Sequence, residues 1–225
     1  MKIYAHRGFS GRYPEGSKTA YVKAAEIGVD GVECDVRLTK DGVAVCFHDA
    51  TTERITGEPG RVSQLNLAQL QERYELMTLA ELLDLVIEKR IDLLIETKHP
   101  VLAGRRIERE VLRLLHEREV QIQTAGIRVI VFTFSYWAAR YLANRYPHAG
   151  FIVKRAWKVR FNPTKIVALG YWLVRENQGL VGTLKNREFF MWTLNSPEDI
   201  ELARKSGASA AITNFPDMAK EVLAK

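Results

Sequence analysis

The chain has 225 residues, of which 47% are hydrophobic and 27% charged, so its composition is that of an ordinary globular protein with one or two domains. No apolar run approaches the roughly 18–20 residues that span a bilayer. The net charge of +6 favours anionic partners, namely phosphorylated substrates, an anionic membrane surface or nucleic acid. The basic residues are spread along the chain, so we expect no nucleic-acid partner.

The first residues and the cysteines indicate a reducing compartment. The N-terminal segment has no hydrophobic stretch of the kind found in signal peptides, and we therefore expect a cytoplasmic protein. Cys34 and Cys46 flank a predicted hairpin turn, and we expect buried, reduced thiols there rather than a disulfide.

Short apolar runs alternate with helical patterns along most of the chain. Predicted strands cover residues 3–5, 30–36, 91–97, 128–134, 150–153, 170–174, 189–194 and 209–213. Predicted helices begin at the capping residues Ser17, Thr78, Ser135 and Ser196, a charged helix covers residues 103–124, and another helix ends the chain. Residues 154–169 are basic and are predicted to be irregular.

One further apolar run, residues 43–47, stands outside this alternation. It follows the turn Lys40-Asp41-Gly42 and is predicted to return antiparallel to the second strand. This arm would bring His48 back to the level of Glu33. Without it, about eight strands remain, each followed by a helix or connector.

That count predicts a (β/α)8 TIM barrel with a small excursion after the second strand. We expect a single barrel domain over residues 1–225, with residues 49–77 forming a short lid or insertion. An open doubly wound sheet is the competing fold, but no Gly-x-Gly-x-x-Gly pattern opens a helix.

Reactive side chains cluster at the predicted strand ends, where barrel enzymes carry their chemistry. Period-two alternation places Glu33 and Asp35 on one face, and Glu96 ends another strand. Three neighbouring carboxylates repel one another unless a cation lies among them, and oxygen ligands suit Mg²⁺ or Ca²⁺. Ordinary ion pairs with basic neighbours are the alternative.

The basic side chains at the same ends have matching interpretations. Arg7 and Lys98 could clamp a phosphate, although Lys98 could instead only balance Glu96. His6 and His48 could act as base and acid. Trp192 could line a substrate pocket, and core packing is its alternative role.

Taken together, the motifs resemble the glycerophosphodiester phosphodiesterases. The matching pieces, in chain order, are His6-Arg7-Gly8, Pro14-Glu15, residues 30–35, residues 38–42, His48-Asp49, Arg54-x-Thr56-Gly57, residues 60–62, Thr78-Leu79-x-Glu81, residues 95–98 and residues 192–195. They extend over nearly the whole chain and are densest in the first hundred residues.

The resemblance implies a metal-dependent barrel enzyme that hydrolyses glycerophosphodiesters to an alcohol and glycerol 3-phosphate. It implies that Glu33, Asp35 and Glu96 hold the metal and that His6 and His48 are the acid–base pair. By the same resemblance, Arg7 and Lys98 contact the phosphate and Glu15 lies near the glycerol.

Two departures from the family pattern stand out. Gly16-Ser17 replaces the usual Asn-Thr, which removes an amide from the loop. Asn214 replaces the usual Asp near the C-terminus, a change that we expect to be structural.

The resemblance leaves two alternatives open. The barrel could instead be a lysophospholipase D that acts on lysophospholipids, or a non-catalytic phosphate- or membrane-binding barrel. The aromatic, basic stretch 154–172 matches the family poorly and could make peripheral membrane contact.

Overall fold

A computed structural model describes residues 1–99, 104–184 and 186–224. Within these ranges the chain forms nine strands. They are β1 (Lys2–His6), β2 (Gly31–Leu38), β3 (Ala44–Cys46), β4 (Asp92–Thr97), β5 (Val129–Thr133), β6 (Ala149–Val153), β7 (Ile166–Gly170), β8 (Glu188–Trp192) and β9 (Ala210–Thr213).

Eight of these strands form a closed parallel barrel, as the sequence predicts. The order of hydrogen-bonded neighbours is β1, β9, β8, β7, β6, β5, β4 and β2, and the pairing of β1 with β2 closes the ring. Strand β3 pairs antiparallel with β2 outside the ring. All eight carboxyl ends therefore lie at one mouth of the barrel.

Helices and helical turns connect the strands. The α-helices of the described residues are α1 (Lys18–Glu26), α2 (Glu53–Thr56), α3 (Leu67–Gln71), α4 (Leu79–Lys89), α5 (Arg106–Glu117), α6 (Glu119–Ala125), α7 (Tyr136–Ala143), α8 (Tyr171–Glu176), α9 (Pro197–Lys205) and α10 (Pro216–Leu223). Short 3₁₀ helices cover Val62–Gln64, Ala156–Phe161 and Gln178–Leu184.

The predicted helix starts are confirmed where a side chain caps the helix. Ser17, Thr78, Ser135 and Ser196 each accept a hydrogen bond from a backbone N–H of the first helical turn. Thr78 and Glu81 also form a capping box, in which each side chain bonds the backbone of the other.

The prediction of a strand at residues 170–174 is wrong. The strand is Ile166–Gly170, inside the stretch predicted to be irregular, and residues Tyr171–Glu176 form α8 instead. A continuous apolar run buried on both faces carries no alternation, so periodicity could not locate its bounds. Gly170 ends the strand and caps the helix.

The single charged helix predicted for residues 103–124 is also wrong in part. Helix α5 ends at Glu117 and α6 begins at Glu119, while the predicted start at residue 103 lies outside the described residues. Arg118 separates the two helices with φ −114°. Its guanidinium Nε bonds Asp84 Oδ1 of α4 at 2.7 Å, a contact that sequence periodicity does not reveal.

The amino end of the barrel is closed by a buried polar cluster around Asp92. Its Oδ2 accepts bonds from Lys2 Nζ at 2.6 Å and from the Tyr4 hydroxyl at 2.9 Å. Its Oδ1 accepts the Arg128 backbone N–H at 2.8 Å. The carboxylate of Asp92, at the end of the barrel opposite the mouth, therefore has a purely structural role.

Cys34 and Cys46 are buried free thiols, which confirms the prediction. None of the helices in the described ranges is long and apolar enough to cross a membrane.

Candidate active site

Three carboxylates meet at the barrel mouth. Glu33 and Asp35 lie on one face of β2, and Glu96 lies on the neighbouring strand β4, where it is opposite Asp35 in the register. One oxygen of each carboxylate lies within 4.8 Å of the others. All three side chains are nearly buried, so the sequence prediction that they converge is confirmed.

Two cations lie directly against Asp35. Arg7 Nε is 2.8 Å from Oδ2, and Lys98 Nζ is 2.8 Å from Oδ1 and also contacts Glu96. Arg7 adopts φ +57°, a left-handed conformation that is unfavourable for a residue with a side chain. Its backbone N–H bonds the Glu33 backbone oxygen at 2.9 Å, which holds this turn against the cluster.

The protonation states of the three acids differ because their surroundings differ. Burial raises the pKa of Glu33 well above its usual value, and the neighbouring charge of Asp35 raises it further. Burial and the same charge raise the pKa of Glu96 to about 7. Burial opposes ionisation of Asp35 too, but Lys98 and Arg7 outweigh it and lower the pKa to about 2.

This donor set fits a hard divalent cation. Both oxygens of Asp35 are buried, and although cations lie 2.8 Å away, neither oxygen has a hydrogen bond of good geometry. Burial and the charge of Asp35 raise the pKa of Glu33 and of Glu96, so both carboxyls resist ionisation. Added positive charge would relieve both conditions, and carboxylate oxygens are the ligands that Mg²⁺ and Ca²⁺ prefer.

His6 is held in one tautomer by Asn214, the residue that follows the last barrel strand. Its Nδ1 lies 2.7 Å from Asn214 Oδ1, and because an amide oxygen only accepts, Nδ1 donates. Nε2 therefore carries the lone pair, and it lies 3.8 Å from Glu33 Oε2. Burial, with the charge of Arg7, lowers the pKa of His6 to about 4, so the ring is neutral at pH 7.

His48 has a different partner. Its Nδ1 lies 2.6 Å from Asp49 Oδ1, and Arg54 Nε in turn bonds Asp49 Oδ2 at 2.5 Å. Burial lowers the pKa of His48, while the nearby charge of Asp35 opposes that shift. The hairpin delivers His48 to the mouth as predicted: the Phe47 N–H donates to the backbone oxygen of Asp35 at 2.8 Å, so the return arm ends beside the part of β2 that carries the carboxylates.

Glu15 lies at the same mouth, but its carboxylate already has partners. Oε1 accepts from Arg7 Nη1 at 3.0 Å and from Arg54 Nη2 at 2.7 Å. In this arrangement Glu15 supports the orientation of Arg7 towards Asp35.

Trp192 lines a cavity beside the carboxylates. The cavity is bounded by His6, Glu33, Glu96, Phe132, Ile152, Ala168, Trp192 and Ile212. The Trp192 Nε1–H is buried without a hydrogen-bond partner in the described residues. A buried indole normally finds an acceptor, so this donor is available to a bound molecule.

Three contacts around the histidines were not predicted from the sequence: His6 with Asn214, His48 with Asp49, and Asp49 with Arg54. Asn214 was expected to be structural, yet it bonds His6; its place at the end of the last strand, which neighbours β1, was the available signal. The other departure from the family pattern is accommodated: Gly16 has φ +72°, a conformation that both Gly and Asn tolerate.

The raised pKa values predict how the metal-free protein responds to pH. Because folded Glu33 and Glu96 hold a proton more tightly than the unfolded chain, unfolding free energy falls as pH rises through their folded pKa values. His6, whose pKa is lowered, adds no slope above pH 6.5. Between about pH 6.5 and 8 we expect Glu96 to account for a loss of about 1 kcal/mol in urea unfolding with a chelator present, and Glu33 acts in the same direction.

A divalent ion should reverse this slope, because it requires ionised carboxylates and binds more tightly as pH rises. If the unfolding free energy of the metal-free protein stays constant over this pH range, the raised pKa values of Glu33 and Glu96 are contradicted.

Eight parallel strands with acids, bases and histidines gathered at their carboxyl ends define a (β/α)8-barrel enzyme. The model of the glycerophosphoryl diester phosphodiesterase family matches residues 6–218. The chain belongs to this family and is a phosphoric diester hydrolase.

Similar proteins agree in fold and length. A Mycobacterium tuberculosis protein named "Probable glycerophosphodiester phosphodiesterase 1" is 31% identical, covering 97% of this chain and 90% of its own. The glycerophosphodiester phosphodiesterase of Caldanaerobacter subterraneus is 28% identical, over 96% and 94%. A solved phosphodiesterase of Oleispira antarctica, in complex with the product sn-glycerol-3-phosphate, has a TM-score of 0.86 at 21% identity, over 100% and 97%.

Proposed function

We propose that this protein hydrolyses glycerophosphodiesters to an alcohol and glycerol 3-phosphate, using a divalent ion held by Glu33, Asp35 and Glu96. The observation that carries the proposal is the buried three-carboxylate cluster with two cations and two oriented histidines around it. We expect Mg²⁺ or Ca²⁺ as the ion, since the ligands are all oxygen.

Formal charges support this assignment. Three ionised carboxylates with Arg7 and Lys98 leave the mouth at −1, and a divalent ion changes this to +1, which complements the single charge of a phosphodiester. When bound, the ion would neutralise charge on the phosphoryl oxygens. Arg7 and Lys98 would then hold the phosphate from the sides on which they now lie against Asp35.

The two histidines suit opposite proton transfers. His6 is neutral, and Asn214 fixes its proton on Nδ1, so Nε2 can accept a proton from the attacking water or glycerol hydroxyl. His48 faces Asp49, whose carboxylate stabilises the charged imidazolium that protonates the leaving alcohol. Glu15 keeps Arg7 oriented through its bond at 3.0 Å. In the proposed complex Glu15 would lie near the glycerol.

We expect Trp192→Phe to weaken substrate binding while leaving the chemical step largely intact. The substitution keeps the aromatic contact with Phe134, whose ring centroid lies 5.7 Å away, but removes the unpartnered Nε1–H. Loss of one hydrogen bond to a charged group corresponds to a rise in KM of about 10-fold. Steady-state kinetics that show an unchanged KM would assign Trp192 to core packing alone.

The proposal is tested by product analysis on a panel of diesters. Purified protein with Mg²⁺, Ca²⁺ or Mn²⁺ should release glycerol 3-phosphate and free alcohol from substrates such as glycerophosphocholine. No turnover on any glycerophosphodiester would reject the proposed activity and favour a non-catalytic barrel.

The same panel examines a second candidate, lysophospholipase D activity. The aromatic pair Phe134 and Trp192 beside the cavity could accommodate an acyl chain. The ring centroid of Trp172 lies 5.2 Å from that of Trp192 and extends this aromatic surface. Faster turnover of lysophosphatidylcholine than of glycerophosphocholine would establish this candidate.

A further inference from the structure

We propose that the barrel mouth docks on anionic membrane surfaces through an aromatic rim formed by Tyr136, Trp137, Trp157 and Phe161. This proposal concerns where the enzyme works, and its test measures binding without turnover, so it can fail independently of the proposed reaction.

The four side chains of the aromatic rim are exposed although they are large and apolar. Trp137 is 64% exposed, Trp157 55%, Phe161 49% and Tyr136 37%. Within the described residues, only Met1 and Val120 among large apolar side chains are comparably exposed. Exposed apolar residues normally occur singly, whereas these four follow two adjacent strands and so mark an interaction surface.

The aromatic rim comes from two segments, one that follows β5 and one that follows β6, and both begin at the mouth of the barrel. Tyr136 and Trp137 open α7 directly after β5, and Trp157 lies in the 3₁₀ helix after β6. Because β5 and β6 are parallel neighbours, these segments leave the barrel beside each other, at the end that holds the carboxylates.

The stretch of chain that carries the aromatic rim contains basic residues but no acidic ones. Residues 120–175, a quarter of the chain, include nine arginines and lysines but no aspartate or glutamate. Seven of the nine follow β5 or β6, and none of the seven forms an ion pair with a described residue; they are Arg140, Arg145, Lys154, Arg155, Lys158, Arg160 and Lys165.

The basic and aromatic groups are also interleaved at short range. Lys158 Nζ lies 5.7 Å from the Trp157 ring centroid, and the Arg160 guanidinium carbon lies 4.6 Å from that of Phe161. Amphipathic tryptophan with neighbouring lysine and arginine is the composition that binds the boundary between lipid headgroups and acyl chains. Each basic residue near an anionic leaflet adds roughly 1 kcal/mol of attraction.

The surface continues into the site. Lys154, immediately after β6, places Nζ 4.3 Å from the Phe134 ring centroid and 5.6 Å from that of Trp192. A lipid surface is favoured over nucleic acid because the exposed rings pair edge-to-face, at 79° for Trp157 and Phe161, and offer no parallel platform on which bases stack.

Co-sedimentation with vesicles tests the proposal. The protein should bind vesicles of mixed phosphatidylglycerol and phosphatidylcholine at low salt, bind pure phosphatidylcholine vesicles at least about 10-fold more weakly, and dissociate at high salt. Arg155→Glu with Arg160→Glu should weaken binding roughly 30-fold or more. Trp137→Ala with Trp157→Ala should also weaken it and remove any vesicle-induced shift in tryptophan fluorescence.

The matched control is Lys165→Glu with Lys205→Glu, which makes the same charge change at exposed lysines away from the mouth. This control should retain binding, and all variants should retain turnover of soluble glycerophosphocholine. If a charge-reversal variant misfolds, the single change Arg155→Gln allows the same comparison.

Three results would overturn the proposal: no binding of the unmodified protein to anionic vesicles at low salt, an equal loss in the control, or tighter binding of a mixed-sequence oligonucleotide than of the vesicles.

Discussion

Glu33→Gln should abolish activity and yet leave the metal-free protein at least as stable as the unmodified one. The amide keeps the shape of the carboxylate but cannot supply the charge that a divalent ion requires, so we expect kcat/KM to fall about 10³-fold or more. Because burial and Asp35 disfavour the ionised Glu33, removing its charge should raise unfolding free energy above pH 7.

The matched control for this prediction is Asp92→Asn, a buried carboxylate at the opposite end of β4 from Glu96. Its partners Lys2, Tyr4 and the Arg128 backbone are structural, so the change should lower unfolding free energy by about 1–3 kcal/mol with little effect on kcat. Urea unfolding and steady-state kinetics on both variants measure the contrast. A Glu33→Gln variant that is less stable than the unmodified protein in the presence of a chelator, or that keeps its activity, would contradict this prediction.

His6→Gln and His48→Gln should each lower kcat by about 10²–10⁴-fold on glycerophosphocholine, but for different reasons. If His48 protonates the leaving alcohol, a diester with a 4-nitrophenol leaving group needs no such help. The His48→Gln variant should therefore recover most activity on the nitrophenyl diester, whereas His6→Gln should remain impaired on both substrates.

The opposite pattern, with recovery in His6→Gln only, would reverse the two roles. Equal impairment of both variants on both substrates would contradict a division between base and acid. Asn214→Asp serves as a control for the tautomer, since a carboxylate at that position still accepts the His6 Nδ1 proton.

The local part of the site was predictable because short-range rules determine it. Period-two alternation alone placed Glu33 and Asp35 on one face. The turn that returns the chain to His48 has local signals: Thr39 Oγ1 accepts the Val43 N–H at 2.9 Å, and Gly42 has φ +85°. The strand count then predicted the barrel, with the return arm outside the ring.

What escaped prediction depends on closure of the barrel or on continuous apolar runs. Asn214 meets His6 across 208 residues of sequence, and only the pairing of β1 with β9 brings them together. The bounds of strand β7 escaped because the apolar run continues past Gly170 into α8, so nothing in the sequence marks where the strand ends. The aromatic rim was predicted only in part: the sequence singled out residues 154–172 for membrane contact, but Tyr136 and Trp137 join them only once β5 and β6 pair.

Calorimetric titration of the chelator-treated protein with Mg²⁺ and Ca²⁺ tests the central claim most directly. We expect one ion to bind per chain, with glycerophosphocholine hydrolysis appearing in proportion to site occupancy. The Glu33→Gln variant should neither bind nor turn over, while Asp92→Asn should do both. Full hydrolysis by the metal-free protein, or unchanged ion binding in Glu33→Gln, would contradict the assignment of this acidic cluster as the catalytic metal site.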